Sequence, residues 1–150
     1  MKLIVKKTNG QILDWLEDST VNGLNSELCL LDIPNYVGDK TETTVGDLDP
    51  SYVLEYKNNL LNDLHAACTA YQVNRLDANG TSAMIGKVTM ATLAGTSHSK
   101  ATANINWWQN IWVNDYEIRR QAILDGEFPS MDFSNHGELP YRVAEAMAEE

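Results

Sequence analysis

Three tryptophans within six residues are the hardest feature of this chain to accommodate. Trp107, Trp108 and Trp112 lie in the stretch Ala101–Gly126, ATANINWWQNIWVNDYEIRRQAILDG; the fourth is Trp15. A buried aromatic side chain removes roughly 150–250 Å² from water, so the fold must offer this stretch a broad partner surface. The spacing predicts one long helix. Ile105, Trp108, Ile111 and Trp112 recur at three and four, and the stripe runs on through Ile118, Ala122 and Ile123. Trp107 and Tyr116 flank that stripe. Thr102 or Asn104 suits the N-cap, and Gly126 the left-handed position that ends a helix.

Two readings of the aromatic band stand side by side. Either all three tryptophans are core, or one flank faces another protein, since tryptophan and arginine are enriched at binding hot spots. On the second reading the interface residues are Trp107, Trp108, Trp112, Tyr116, Arg119 and Arg120. Asp115 and Arg119 form an i,i+4 pair in the favourable order, and both arginines sit near the helix C-terminus, where positive charge is favoured. A structural role therefore accounts for the arginines as well.

The rest of the chain predicts an α+β fold: a small N-terminal β-hairpin or sheet, then a C-terminal bundle of about three helices. Lys2–Lys7 and Gln11–Leu16 flank Thr8-Asn9-Gly10, a hairpin signal. A hairpin is marginal alone and needs a third strand, a helix or another chain. Asn22-Gly23 reads as a second turn, and Glu27–Ile33 as a short apolar strand ended by Pro34. A polar connector comes next. The expected division is residues 1–48, β-rich with that connector, and residues 49–150, helical with an irregular C-terminal segment.

Asp49-Pro50 reads as N-cap and first residue of a helix reaching about Arg75. Asp77-Ala78-Asn79-Gly80 breaks it, and Thr81–Ala94 is a second helix rich in small residues. After Gly126 the chain is irregular, with Phe128, Met131 and Phe133 as anchors, and Pro140 opens a short helix through Ala148.

Net charge is −10 over 150 residues. By thirds it is −5, +1 and −6, so both ends are acidic and the middle nearly neutral. This disfavours nucleic acid and anionic membranes as partners. Met1–Val5 lacks the pattern of a signal peptide, and no apolar run approaches the ~20 residues of a membrane helix. Cys29 and Cys68 lack metal-like spacing and read as reduced, buried thiols, with one disulfide left open.

Motifs for chemistry are sparse. Asp77–Gly80 superficially resembles a calcium loop, but its glycine stands fourth and Val88 twelfth, where the loop needs glycine sixth and glutamate twelfth. His65, His98 and His136 form no zinc-type pair. Asp132, Ser134 and His136 are close in sequence but lack a nucleophile elbow, and read as a turn-forming polar cluster. No catalytic residue, metal or cofactor is expected.

The organisation as a whole, a hairpin at the start, a polar connector, then helices carrying Trp107-Trp108…Ile111-Trp112…Tyr116…Arg119-Arg120…Gly126, resembles small proteins encoded beside the tail and tail-fibre genes of tailed bacteriophages. The resemblance implies a non-catalytic structural or adaptor subunit of the particle, in its tail or baseplate. Such a subunit is made in the host cytoplasm, and its partners are other phage structural proteins and further copies of itself. A second reading is a tail or tail-fibre assembly chaperone that leaves before the particle is finished. A third, from another class, is a small hydrolase using scattered carboxylates.

Overall fold

The computed structural model describes residues 1–16, 24–33 and 44–150. The fold is α+β. Strands β1 (Lys2–Lys6), β2 (Ile12–Leu16) and β3 (Leu28–Asp32) form an antiparallel sheet in the order β2-β1-β3. Helices α1 (Pro50–Val73), α2 (Ala78–Leu93), α3 (Ser99–Gln109), α4 (Glu117–Leu124) and α5 (Val143–Ala148) come after the sheet, with a π-helical segment, Asn110–Tyr116, joining α3 to α4. The predicted turn at Asn22-Gly23 and the strand end at Pro34 lie outside the described residues.

Packing groups the chain into a sheet unit, Met1–Asp63 with Arg120–Pro129, and a helical unit, Leu64–Arg119 with Ser130–Glu150. These limits fall inside α1 and α4, whereas a division at 48/49 follows the change from strand to helix.

In the sheet unit, β3 supplies the third strand that the hairpin requires. Leu3 and Val5 point inward from β1 opposite Leu31 and Cys29, and with Ile33, Val45 and Leu48 they form the core. Tyr52, Val53 and Tyr56 of α1 pack on it. The alternation of β2 is imperfect in sequence for a physical reason. Ile12 and Trp15 are three apart and would face opposite ways on a regular strand. The register jumps between Ile4 and Val5, which pair with Asp14 and Ile12, leaving Leu13 unpaired. That bulge turns both Ile12 and Trp15 toward the core.

The hairpin turn closes where Gly10 adopts φ +70°. Its carbonyl accepts from Val45 N–H at 2.8 Å, and the Tyr56 hydroxyl donates to the Lys7 carbonyl beside it. Asp49 caps α1, its carboxylate accepting from Ser51 N–H at 2.9 Å and Ser51 Oγ at 2.8 Å. These bonds hold it below the usual carboxylate range.

In the helical unit, Asp77-Ala78-Asn79-Gly80 both breaks α1 and starts α2. Asp77 is the N-cap, accepting from Gly80 N–H at 2.7 Å. A Cβ on buried Gly80 would stand 2.8 Å from Leu76 Cδ1 and 3.2 Å from both Asp77 Oδ1 and Val143 Cγ2. Helix propensity alone would make Gly80→Ala favourable by about 1 kcal/mol. Overpacking outweighs it, and we expect a net loss of about 1–2 kcal/mol, read as a lower urea midpoint with unchanged slope.

α2 packs on α3 and α5. The expected cap of the tryptophan helix is corrected. The helix starts at Ser99, and Asn104 is buried within it. Asn104 holds the backbone of Tyr141, accepting from its N–H at 3.0 Å and donating to its carbonyl at 2.9 Å. The helix start is capped instead by Glu149, whose carboxylate accepts from Ser99 Oγ and Lys100 N–H, each at 2.8 Å. The other end is as expected. Gly126 has φ +92°, its N–H donates to the Ile123 carbonyl, and Glu127 N–H donates to that of Ala122, both within the sheet unit.

Candidate functional site

The aromatic stretch meets its surroundings chiefly within the helical unit. Trp107 is its most enclosed tryptophan, 7 % exposed, although the spacing placed it beside the stripe. Its Nε1 donates to the His136 carbonyl at 3.2 Å, and its ring centroid lies 6.3 Å from that of Tyr71. The Arg75 guanidinium covers Tyr71 at 3.8 Å. Trp108 is half-buried. Trp112, also half-buried, donates from Nε1 to Gln72 Oε1 at 3.3 Å. Trp112, Tyr116 and His65 form a second cluster, with centroids 5.0 Å apart for Trp112–Tyr116 and 5.6 Å for His65–Trp112.

The π segment decides which apolar residues are left outside. Ile118 stands seven positions after Ile111, so in a regular α-helix the two would share a side, about 20° apart. A π insertion adds one residue to the winding and turns the downstream residues by about 100°. Ile111 is fully buried, but Ile118 is 70 % exposed; Val113, 59 % exposed, lies opposite Ile111 in either kind of helix. The expectation that Ile118 continues the buried stripe is thereby corrected.

Arg119 is the clasp of this unit. Its Nε and Nη2 each donate to the Asp115 carboxylate at 2.8 Å. Nη1 donates to the Ser130 and Asp132 carbonyls at 2.8 and 2.7 Å, and Nη2 also to Asn135 Oδ1 at 3.1 Å. Its guanidinium stacks 4.0 Å from the centroid of buried Phe133. All five N–H donors of the group are engaged. Arg120, in the sheet unit, is exposed.

Asp115 also meets His136 Nε2 at 2.6 Å. Burial pushes the Asp115 carboxyl up, but the bonds from Arg119 and His136 outweigh it and hold the group below the usual range. This Asp–His pair spans 21 residues and had no local signature in the sequence. Ser134 donates from N–H and Oγ to Asp132, at 2.8 and 3.0 Å. Asp132, Ser134 and His136 therefore build a turn pinned by Arg119, with the Ser134 hydroxyl aimed at Asp132 and His136 aimed at Asp115.

Both cysteines are free and buried. Burial pushes the Cys29 thiol up to about 11 and that of Cys68 to about 12, which keeps both in the unreactive protonated form. Among the described residues, no group of three or more His, Cys, Asp or Glu side chains is placed to hold a metal ion, and no helix is long and apolar enough to cross a membrane.

Comparison of the chain with protein-family models, with curated proteins and with solved structures gives no match.

Proposed function

We propose that this chain is a non-catalytic structural or adaptor subunit of a bacteriophage particle, in its tail or baseplate, acting through protein–protein contacts. The phage context comes from the resemblance in organisation. The observation that carries the binding role is the exposure of Val113 and Ile118 on the helical stretch that also bears Trp108, Trp112 and Tyr116. Contiguous exposed apolar surface marks contact sites, and two large exposed apolar side chains five positions apart on one helical stretch are the ones such a contact would use. The enclosed side of the stretch, with Trp107 bonded to His136 and Arg119 clamped to Asp115, fixes the geometry of the outward side. The partner is another protein of the particle, and neither nucleic acid nor a membrane is proposed.

The test is a double substitution, Val113→Asp with Ile118→Asp, in producing cells. Both sites are exposed, so thermal stability of the isolated chain is expected to change little, within about 0.5 kcal/mol. Copies incorporated per particle are expected to fall about tenfold or more, as for loss of a central apolar contact. Incorporation at the wild-type level would contradict the assignment of this flank.

A further inference from the structure

We propose that the hollow beside the hairpin turn binds a free α-amino acid with a large apolar side chain, its carboxylate on Lys57 and its ammonium on Glu127. The inference is independent of the phage reading and of the tryptophan flank.

The hollow lies wholly within the sheet unit. Its described walls come from the hairpin turn, the segment before α1, the first turns of α1 and the residues after α4. Its volume is about 220 Å³. Sites for drug-sized ligands run to roughly 300–1,000 Å³, so the occupant here is smaller. Val45, Val53, Tyr56 and Phe128 supply apolar wall, and Gly10, Gly46 and Gly126 leave part of the lining as bare backbone. A Cβ added at Gly46 would find its nearest neighbour at 3.9 Å, and one at Gly126 none within 4 Å, so the space there is open.

Two side chains of opposite charge line this space, Lys57 from α1 and Glu127 from the segment after α4. Among the described residues neither takes part in an ion pair. The half-buried Lys57 ammonium donates to the Leu124 carbonyl at 2.7 Å, which uses one of its three N–H groups. Glu127 is exposed and is held by its backbone, its N–H donating to the Ala122 carbonyl. Its carboxylate is open to a ligand. A simple carboxylic acid would be drawn by Lys57 and repelled by Glu127, and a simple amine would meet the reverse. A molecule with both charges on one carbon, next to an apolar body, satisfies both groups and covers the wall.

A small ligand in a partly open site binds weakly, with a Kd on the order of 0.1–1 mM. Titration of the full chain with L-phenylalanine, followed by amide NMR, tests the proposal. The expected result is saturable shifts at Gly10, Gly46 and Gly126. Hydrocinnamate lacks the ammonium and phenethylamine lacks the carboxylate. Each is expected to bind about tenfold or more weakly than L-phenylalanine, the usual worth of one charge-assisted bond. Lys57→Met is expected to weaken L-phenylalanine about tenfold and to leave phenethylamine no weaker. Lys57 also closes the end of α4, so Glu127→Gln is the deciding variant. It should weaken L-phenylalanine about tenfold and leave hydrocinnamate no weaker, with an unchanged thermal midpoint because the side chain is exposed. Absence of saturable shifts at these glycines up to about 10 mM, well above the expected Kd, would overturn the proposal. So would hydrocinnamate or phenethylamine binding as tightly as L-phenylalanine, or parent-like affinity in Glu127→Gln.

Discussion

Trp107→Ala is expected to be the most damaging single truncation in the aromatic stretch, lowering stability by about 3–5 kcal/mol. Trp107 is 7 % exposed and fills space in the helical unit beside Tyr71. Its removal leaves a cavity and also strips the His136 carbonyl of its donor. Trp107→Phe separates the two effects. It keeps most of the ring and loses the hydrogen bond, and should cost about 1–3 kcal/mol. Urea denaturation, followed by circular dichroism, reads both. A Trp107→Ala midpoint equal to that of the parent would contradict the placement of this ring.

Arg119 carries the second large effect. Arg119→Ala removes all five donors at once and leaves Asp115 facing His136 alone, at a cost of about 3 kcal/mol or more. Arg119→Lys is expected to recover little, because an ammonium cannot grip both oxygens of Asp115 while reaching the carbonyls of Ser130 and Asp132. Hydrogen exchange in residues 130–137 should rise by orders of magnitude relative to the sheet core. Parent-like protection of this segment in both variants would contradict the clasp.

The same site gives a pH dependence of definite sign. The folded-state pKa of Asp115 lies below its ordinary value near ~4. Its stabilising contribution is therefore present in full above pH ~4 and is lost as pH falls through the folded value. Arg119→Ala should flatten that part of the acid limb.

Much of the fold was legible because its signals are local. Asp49-Pro50 caps α1, Gly10 closes the hairpin and Gly126 ends α4, each within four residues of the atoms it serves. The apolar run Glu27–Ile33 reads as a strand, but the sequence leaves open whether it, a helix or another chain completes the hairpin; pairing of β3 with β1 answers that. What stayed hidden was non-local. The cap of α3 comes from Glu149, some 50 residues away. Asn104 looked like a cap because its side chain suits one, but the backbone of Tyr141, 37 residues on, takes both of its polar atoms.

The aromatic stretch illustrates the same limit. Trp107 and Trp108 are adjacent and chemically identical, and periodicity favoured Trp108 for the core. The His136 carbonyl and the Tyr71 ring select Trp107 instead. Ile118 belonged to the stripe only if the helix was α throughout, and a π insertion leaves no local mark in this sequence. Leu13 shows an intermediate case. The sequence shows only imperfect alternation across Ile12–Trp15; that both residues face inward, through a register shift that leaves Leu13 unpaired, is visible only in the structure.

On the proposed function, this chain would occupy a fixed place in a particle. Quantitative mass spectrometry of purified particles, beside crude lysate of the producing cells, tests it most directly. A fixed, repeatable copy number in the particles is the expected result. Abundance in the lysate with absence from the particles would contradict it and favour an assembly chaperone that leaves before completion.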